Sequence, residues 1–215
     1  MRFAIGVLLA AAASLEFLAQ AQAPQVPSGT WAPGGTMSRP RTGASAALVP
    51  DGRVLITGGM GATGPTATAE LFNPTGIFTA AAPMNVARTR HSSVALRDGR
   101  VLVAGGITAN GGATRRAEVY DAASGLWTFV GSMAAARNSH TASLLADGRV
   151  LIAGGENSAG VTSTLELFDP ATNTFISALS LSTPRKDHAA AVLPDGRVLL
   201  AGGSDGTAAL SSSDL

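Results

Sequence analysis

Three kinds of polar side chain recur at fixed places along this 215-residue chain and could do chemistry together. Arginines stand at Arg41, Arg88, Arg137 and Arg185, and histidines at His91, His140 and His188, three positions after the last three arginines. In the first copy Ala44 takes the histidine's place. Acids stand at Glu70, Glu118, Glu166 and Asp214, 48 residues apart each time. Guanidinium and imidazole groups ringing a channel would suit an anionic or polyhydroxylated ligand. Arg41, Arg88, His91, Arg137, His140, Arg185 and His188 are therefore the candidate ligand-binding residues. The same positions admit an architectural role. Four arginines match four acids in number, which predicts ion pairs within or between repeats, since a carboxylate among apolar neighbours is costly unless paired. The histidines would then donate structural hydrogen bonds near a strand start. No residue is assigned a catalytic or metal-binding role and no cofactor is expected. Side chains on separate repeats stand too far apart to converge at metal–nitrogen bonds of roughly 2 Å.

The elements that carry these residues repeat with the same step. An Asp-Gly-Arg turn begins at Asp51, Asp98, Asp147 and Asp195, at steps of 47, 49 and 48, and Gly-Gly pairs follow at Gly58, Gly105, Gly154 and Gly202. A period near 48 residues marks a repeat architecture. Within a copy, His91–Leu96 and Arg100–Ala104 are two apolar runs joined through Asp-Gly, a hairpin signal that predicts a type I′ turn. A third strand is expected at Ala117–Tyr120 and a fourth at Leu126–Phe129, making each copy a four-stranded antiparallel meander. Such a sheet cannot cover both faces alone, so copies must stack face to face. The continuous apolar runs at Val54–Ile56, Val101–Val103, Val150–Ile152 and Val198–Leu200 agree with strands covered on both sides.

Composition narrows the partners. The chain is 46% hydrophobic and 13% charged, with 26 glycines and 11 prolines, which suits a turn-rich all-β protein. Fifteen basic against 14 acidic residues, with no run of like charge, leave no footprint for nucleic acid or an anionic membrane. Arg2, an apolar stretch from Phe3 to Leu15 and the small-residue pattern Ala19-Gln20-Ala21 predict a secretory signal peptide over 1–21, followed by a short linker at 22–27. The mature chain is expected to be secreted or periplasmic in a bacterium, with no membrane segment. Having no cysteine, it would rely on packing rather than disulfides.

An apolar strand closed by Gly-Gly is followed in each full copy by an aromatic before an acid or amide, at Phe72-Asn-Pro74, Tyr120-Asp121 and Phe168-Asp-Pro170. A second aromatic comes six or seven residues on, at Phe78, Trp127 and Phe175. This pattern resembles the kelch motif of β-propellers, the architecture that includes galactose oxidase, and covers the chain from about Ser28 to Leu215. The resemblance implies an all-β, kelch-type propeller of four-stranded antiparallel blades, about four of them present, as part of a larger ring. The register places an outer strand of a closing blade at 28–36, blade 1 at 37–83, blade 2 at 84–132, blade 3 at 133–180 and an incomplete blade 4 at 181–215. Copper-radical oxidase chemistry, which belongs to some kelch propellers, needs a Tyr cross-linked to Cys and a second Tyr. This chain has only Tyr120 and no cysteine.

The leading functional expectation is an exported binding or protein-interaction scaffold whose partner is a protein or a glycan. Alternatives are a periplasmic sugar mutarotase or other carbohydrate-active propeller, and a structural repeat segment of a larger surface protein. Residues special to one repeat are the favoured contacts: Arg90, Arg115-Arg116, Glu156-Asn157 and Lys186-Asp187, all in loops.

Overall fold

The computed structural model describes residues 33–215. The expected signal peptide, the linker and residues 28–32 of the expected outer strand lie outside the described residues; the remainder of that segment, Pro33–Thr36, is not in a strand. No helix occurs among the described residues, and four antiparallel sheets form the blades of a β-propeller. Blade 1 runs through Ser45–Leu48, Val54–Thr57, Ala69–Asn73 and Ile77–Ala81. Blade 2 follows with Ser92–Ala95, Arg100–Ala104, Ala117–Asp121 and Leu126–Phe129. Blade 3 is Thr141–Leu144, Val150–Ala153, Leu165–Asp169 and Thr174–Ser177. Blade 4 has three strands, Ala189–Val192, Val198–Ala201 and Ser213–Asp214. In each, neighbours in sequence are neighbours in the sheet, the expected meander. The first strands of successive blades touch, so they line the axis.

Register explains the paired aromatics. Phe72 lies opposite Phe78, Tyr120 opposite Trp127 and Phe168 opposite Phe175 across the third and fourth strands. Their rings stand 4.9, 5.1 and 4.9 Å apart and tilted by 47–49°, the arrangement in which aromatic quadrupoles attract. The six- or seven-residue spacing is thus the length of a tight turn between cross-strand partners.

The Asp-Gly-Arg turns depart from the type I′ expectation. A type I′ turn needs positive φ at both central residues, yet only the glycines show it, Gly52 at 85° and its counterparts at 88–89°. Gly52 donates to the Val49 carbonyl, and Val49 to the Arg53 carbonyl. The loop is therefore a three-residue type I turn ended by a left-handed glycine. Asp51 stays in the ordinary region because its carboxylate accepts the Arg53 amide at 3.0 Å, fixing the turn from within. The same bond recurs from Arg100, Arg149 and Arg197 to the aspartate two residues earlier.

The core lies between blades. Ala47, Val49, Leu55 and Leu71 of blade 1 meet Val101 and Tyr120 of blade 2. Leu96, Leu102 and Val119 of blade 2 meet Val150, Ile152 and Phe168 of blade 3. A smaller cluster of Ala153, Leu181 and Leu200 joins blades 3 and 4. The second strands of blades 2 and 3 are thus apolar on both sides because each feeds two seams, as their non-alternating sequence predicts.

Candidate functional site

In a meander, alternate connections fall at opposite ends of the sheet. The Asp-Gly-Arg turns and the turns between third and fourth strands share one end, here the lower face. The loops between second and third strands, and the links from one blade to the next, share the other. The recurrent arginines and the Gly-Gly pairs belong to this upper face.

Each arginine clamps its own blade. Arg88 reaches the Gly105 carbonyl at 2.8 Å and the Arg116 carbonyl at 2.9 Å through Nη1, and Glu118 at 2.9 Å through Nη2. Arg41, Arg137 and Arg185 repeat this on Gly58, Thr68 and Glu70, on Gly154, Thr164 and Glu166, and on Gly202, Ser212 and Asp214. The guanidinium fork thus ties the end of the second strand to the start of the third. The acid's other oxygen accepts the backbone amide of the blade's second residue, Ser38, Asn85, Ala134 or Ser182. Arg88 and Glu118 are both wholly buried, and burial pulls the Arg88 charge below its ordinary pKa while Glu118 opposes that shift. The expected pairing of arginines with acids is therefore within blades.

The histidines instead join blades. His91 Nε2 meets Thr57 Oγ1 at 2.8 Å, His140 meets Ser92 Oγ at 2.9 Å and His188 meets Thr141 Oγ1 at 2.8 Å, each partner lying in the preceding blade. The first glycine of each of the first three pairs, Gly58, Gly105 and Gly154, makes room for them. A Cβ on Gly58 would stand 2.7 Å from the His91 ring and 2.4 Å from the Arg88 carbonyl, and one on Gly105 would meet His140 and Arg137 as closely. The second glycine donates across the seam, from Gly59, Gly106 and Gly155 to the carbonyls of Arg88, Arg137 and Arg185. Burial, then the neighbouring Arg88 charge, holds His91 down to about 3; burial and the Arg137 charge do the same for His140. His188 is lowered by burial and Arg185. All three are neutral at physiological pH, with their imidazoles turned into the seams.

All seven candidate ligand-binding residues are therefore placed in the framework: Arg41, Arg88, Arg137 and Arg185 have at most 1% of their side chains exposed, and the histidines at most 8% of their surface. The structure does not bring them together as one open ring. Among the described residues, no group of three or more His, Asp or Glu side chains gathers as a metal centre would require.

Residues special to one blade are what the upper face exposes. Gly43, Arg90, Ser139 and Asp187 share one repeat position, marked by positive φ of 51–61°, and form a belt in which each donates its amide to the carbonyl of the one before. Asp187 is thus the counterpart of Arg90, each standing two residues after the clamp arginine and one before the seam histidine. Lys186 pairs with Glu156 of blade 3 across a seam. Arg90, Arg115, Arg116 and Asp187 are exposed and have no ion-pair partner among the described residues.

A family model described as the kelch motif matches residues 88–134, the interval that contains the Arg88 clamp, the His91 seam and the Tyr120–Trp127 pair. No curated protein matches the chain. With that motif recurring at a step near 48 residues, and each copy folded as an antiparallel blade with the same clamp, the chain is a kelch-repeat β-propeller.

Proposed function

We propose that this protein is an exported interaction scaffold that presents the upper face of its propeller to a protein partner. Kelch propellers generally mediate protein interaction. The observation that carries the reading is the contrast between the two faces. Below, every Asp-Gly-Arg turn neutralises its own charge, through Asp51–Arg53, Asp98–Arg100, Asp147–Arg149 and Asp195–Arg197 at 2.6–2.7 Å. Above, the repeating charges are buried in clamps, and the exposed ones differ from blade to blade. A partner that must bind in one orientation needs such broken symmetry. Loops held by a rigid scaffold are also where recognition usually lies. The export reading is supported by the charged, apolar and small-residue pattern of residues 1–21.

Photo-crosslinking residues placed singly at Arg90, Asp187 and Asp205 above, and at Asp121 and Asp169 below, test the face in the producing cell. Adducts from the upper positions alone are expected. Equal adducts from both faces, or none, would sink the reading. Fractionation with N-terminal sequencing tests export: a chain found outside the cytoplasm and starting at Gln22 is expected, and an intact cytoplasmic chain refutes it.

A further inference from the structure

Blade 2 breaks the repeat at two touching positions on the upper face, and the first break costs it a hydrogen bond that blades 3 and 4 make. The residue whose carbonyl completes the arginine clamp is Thr68 in blade 1, Arg116 in blade 2, Thr164 in blade 3 and Ser212 in blade 4. In blades 3 and 4 its hydroxyl also accepts a bond from the clamp arginine, at 3.0 Å to Thr164 and 3.2 Å to Ser212. Arg116 cannot accept one. It adds a like charge near Arg88 instead. Opposite the clamp acid on the fourth strand, blade 1 has Ala80 and blade 3 has Ser177, whereas blade 2 has Phe129, 48% exposed. The Arg116 guanidinium lies 5.6 Å from the centre of the Phe129 ring. Architecture asks for a small hydroxyl and a small side chain here, so neither residue is there for the blade.

These two residues, with Arg115, Thr114 and Ser132, wall a cleft of about 510 Å³. Arg116 and Thr114 also bound a second cleft of about 450 Å³ on the other side, towards Asn85 and Asn110. The surface is thus a cationic ridge with an aromatic plate, flanked by grooves. We propose that it binds an acidic, extended segment of a protein partner, whose carboxylates meet Arg115 and Arg116 and whose apolar side chain lies on Phe129. The carrying arguments are charge complementarity and the exposed ring. A sulfated glycan could also meet the arginines and stack a sugar face on Phe129, so labelled heparin is the competing arm of the test.

This rests on the upper-face reading above. The test is fluorescence anisotropy of the full chain with a labelled Glu-Glu-Phe-Glu-Glu peptide, its all-Lys counterpart and labelled heparin. Saturable binding of the acidic peptide alone is expected, weakened about tenfold or more by Arg116→Thr and by Phe129→Ser, each of which installs a residue found at that position in another blade. Arg116→Thr should also raise the urea midpoint, because it offers Arg88 the hydroxyl that Arg137 and Arg185 already have. Absence of peptide binding, variants that bind unchanged, or a lowered urea midpoint for Arg116→Thr would each overturn the proposal. So would saturable heparin binding, whatever its response to Phe129→Ser. A protein that crosslinks through its upper face yet fails here keeps its partner elsewhere on that face, so the two readings fail separately.

Discussion

Two ion pairs of equal length separate burial from distance as the source of an interaction's worth. Arg137–Glu166 and Arg149–Asp147 are both 2.7 Å long, but the first has at most 2% of either side chain exposed and the second 39% and 48%. Glu166→Gln strands a buried guanidinium and should cost about 3–5 kcal/mol, whereas Asp147→Asn, which keeps the turn's amide bond and loses only a solvent-screened charge, should leave stability nearly unchanged. Urea unfolding of the two variants checks the difference, and equal losses would show that the clamp is solvated in solution. The buried histidines give a second residue-scale prediction. Their folded pKa values of about 3 lie below the ordinary 6.5, so the unfolded chain binds protons that the folded chain refuses. Stability is full above pH 6.5 and falls as the pH drops towards 3, by about 1.4 kcal/mol per pH unit for each histidine. Between pH 7 and 5 His91 and His140 together should cost about 4 kcal/mol, with His188 adding in the same direction. His140→Gln should cut that pH-dependent loss by about 2 kcal/mol; an unchanged pH slope would refute it.

Glycines show how the same residue serves different elements. Gly52 turns the lower hairpin at φ 85° with nothing within 4 Å of its missing Cβ, so Gly52→Ala meets only backbone strain, about 1–2 kcal/mol. Gly105 has φ 66° as well, but its Cβ would lie 2.5 Å from the Arg137 carbonyl and 2.6 Å from the His140 ring. Gly105→Ala should add about 1–3 kcal/mol more for prying blades 2 and 3 apart. Thermal melts of both variants decide it: a Gly105→Ala protein as stable as Gly52→Ala would mean that the seam yields. The blades themselves are legible in the sequence because their markers are local: a turn aspartate, a strand of apolar residues and an aromatic pair declare themselves within a few positions. The seam is not. In the sequence His91 admits both a ligand-binding and a structural reading, because its partners Thr57 and Gly58 lie more than 30 residues earlier and in another blade. The turn type departs from expectation for the opposite reason: Asp-Gly is compatible with two loops, and the Asp51 carboxylate bond that chooses between them is not visible in the residue pair. Arg116 and Phe129 are separable only in part. Arg116 stands out as a charge, but Phe129 passes for one more strand aromatic until its register opposite Glu118 is known.

At the scale of the whole molecule, cohesion comes from the seams, and the four blades do not share them equally. Val101, Val150, Ile152 and Phe168, which face back onto a preceding blade, are 0% exposed. Their counterparts on blade 1, Val54, Ile56 and Phe72, are only half-buried, and so are Leu151 on blade 3 and Leu199 on blade 4, where Leu55 and Leu102 are buried; blade 3 thus meets blade 4 through a looser seam than those before it. The backbone belt runs from Asp187 through Ser139 and Arg90 to Gly43, with three links among the described residues. Blades 2 and 3 are therefore packed on both faces by neighbours within residues 33–215, and blades 1 and 4 on one. In a repeat protein whose units touch only their neighbours, stability is close to a sum of unit and seam terms, so a blade held by one seam opens more often than a blade held by two. Amide hydrogen exchange at Val101–Val103 and Val150–Ile152 should accordingly be slowest, and exchange at Leu199–Ala201 faster by about an order of magnitude for each 1.4 kcal/mol that a missing seam withholds. Blade 1 should fall between them, because its second strand packs against the full Leu55–Val101 seam while blade 4 depends on the small cluster around Leu200. Uniform protection across all four second strands would mean that the faces of blades 1 and 4 are covered in solution as fully as the inner ones, and would replace this graded scheme with a single cooperative unit.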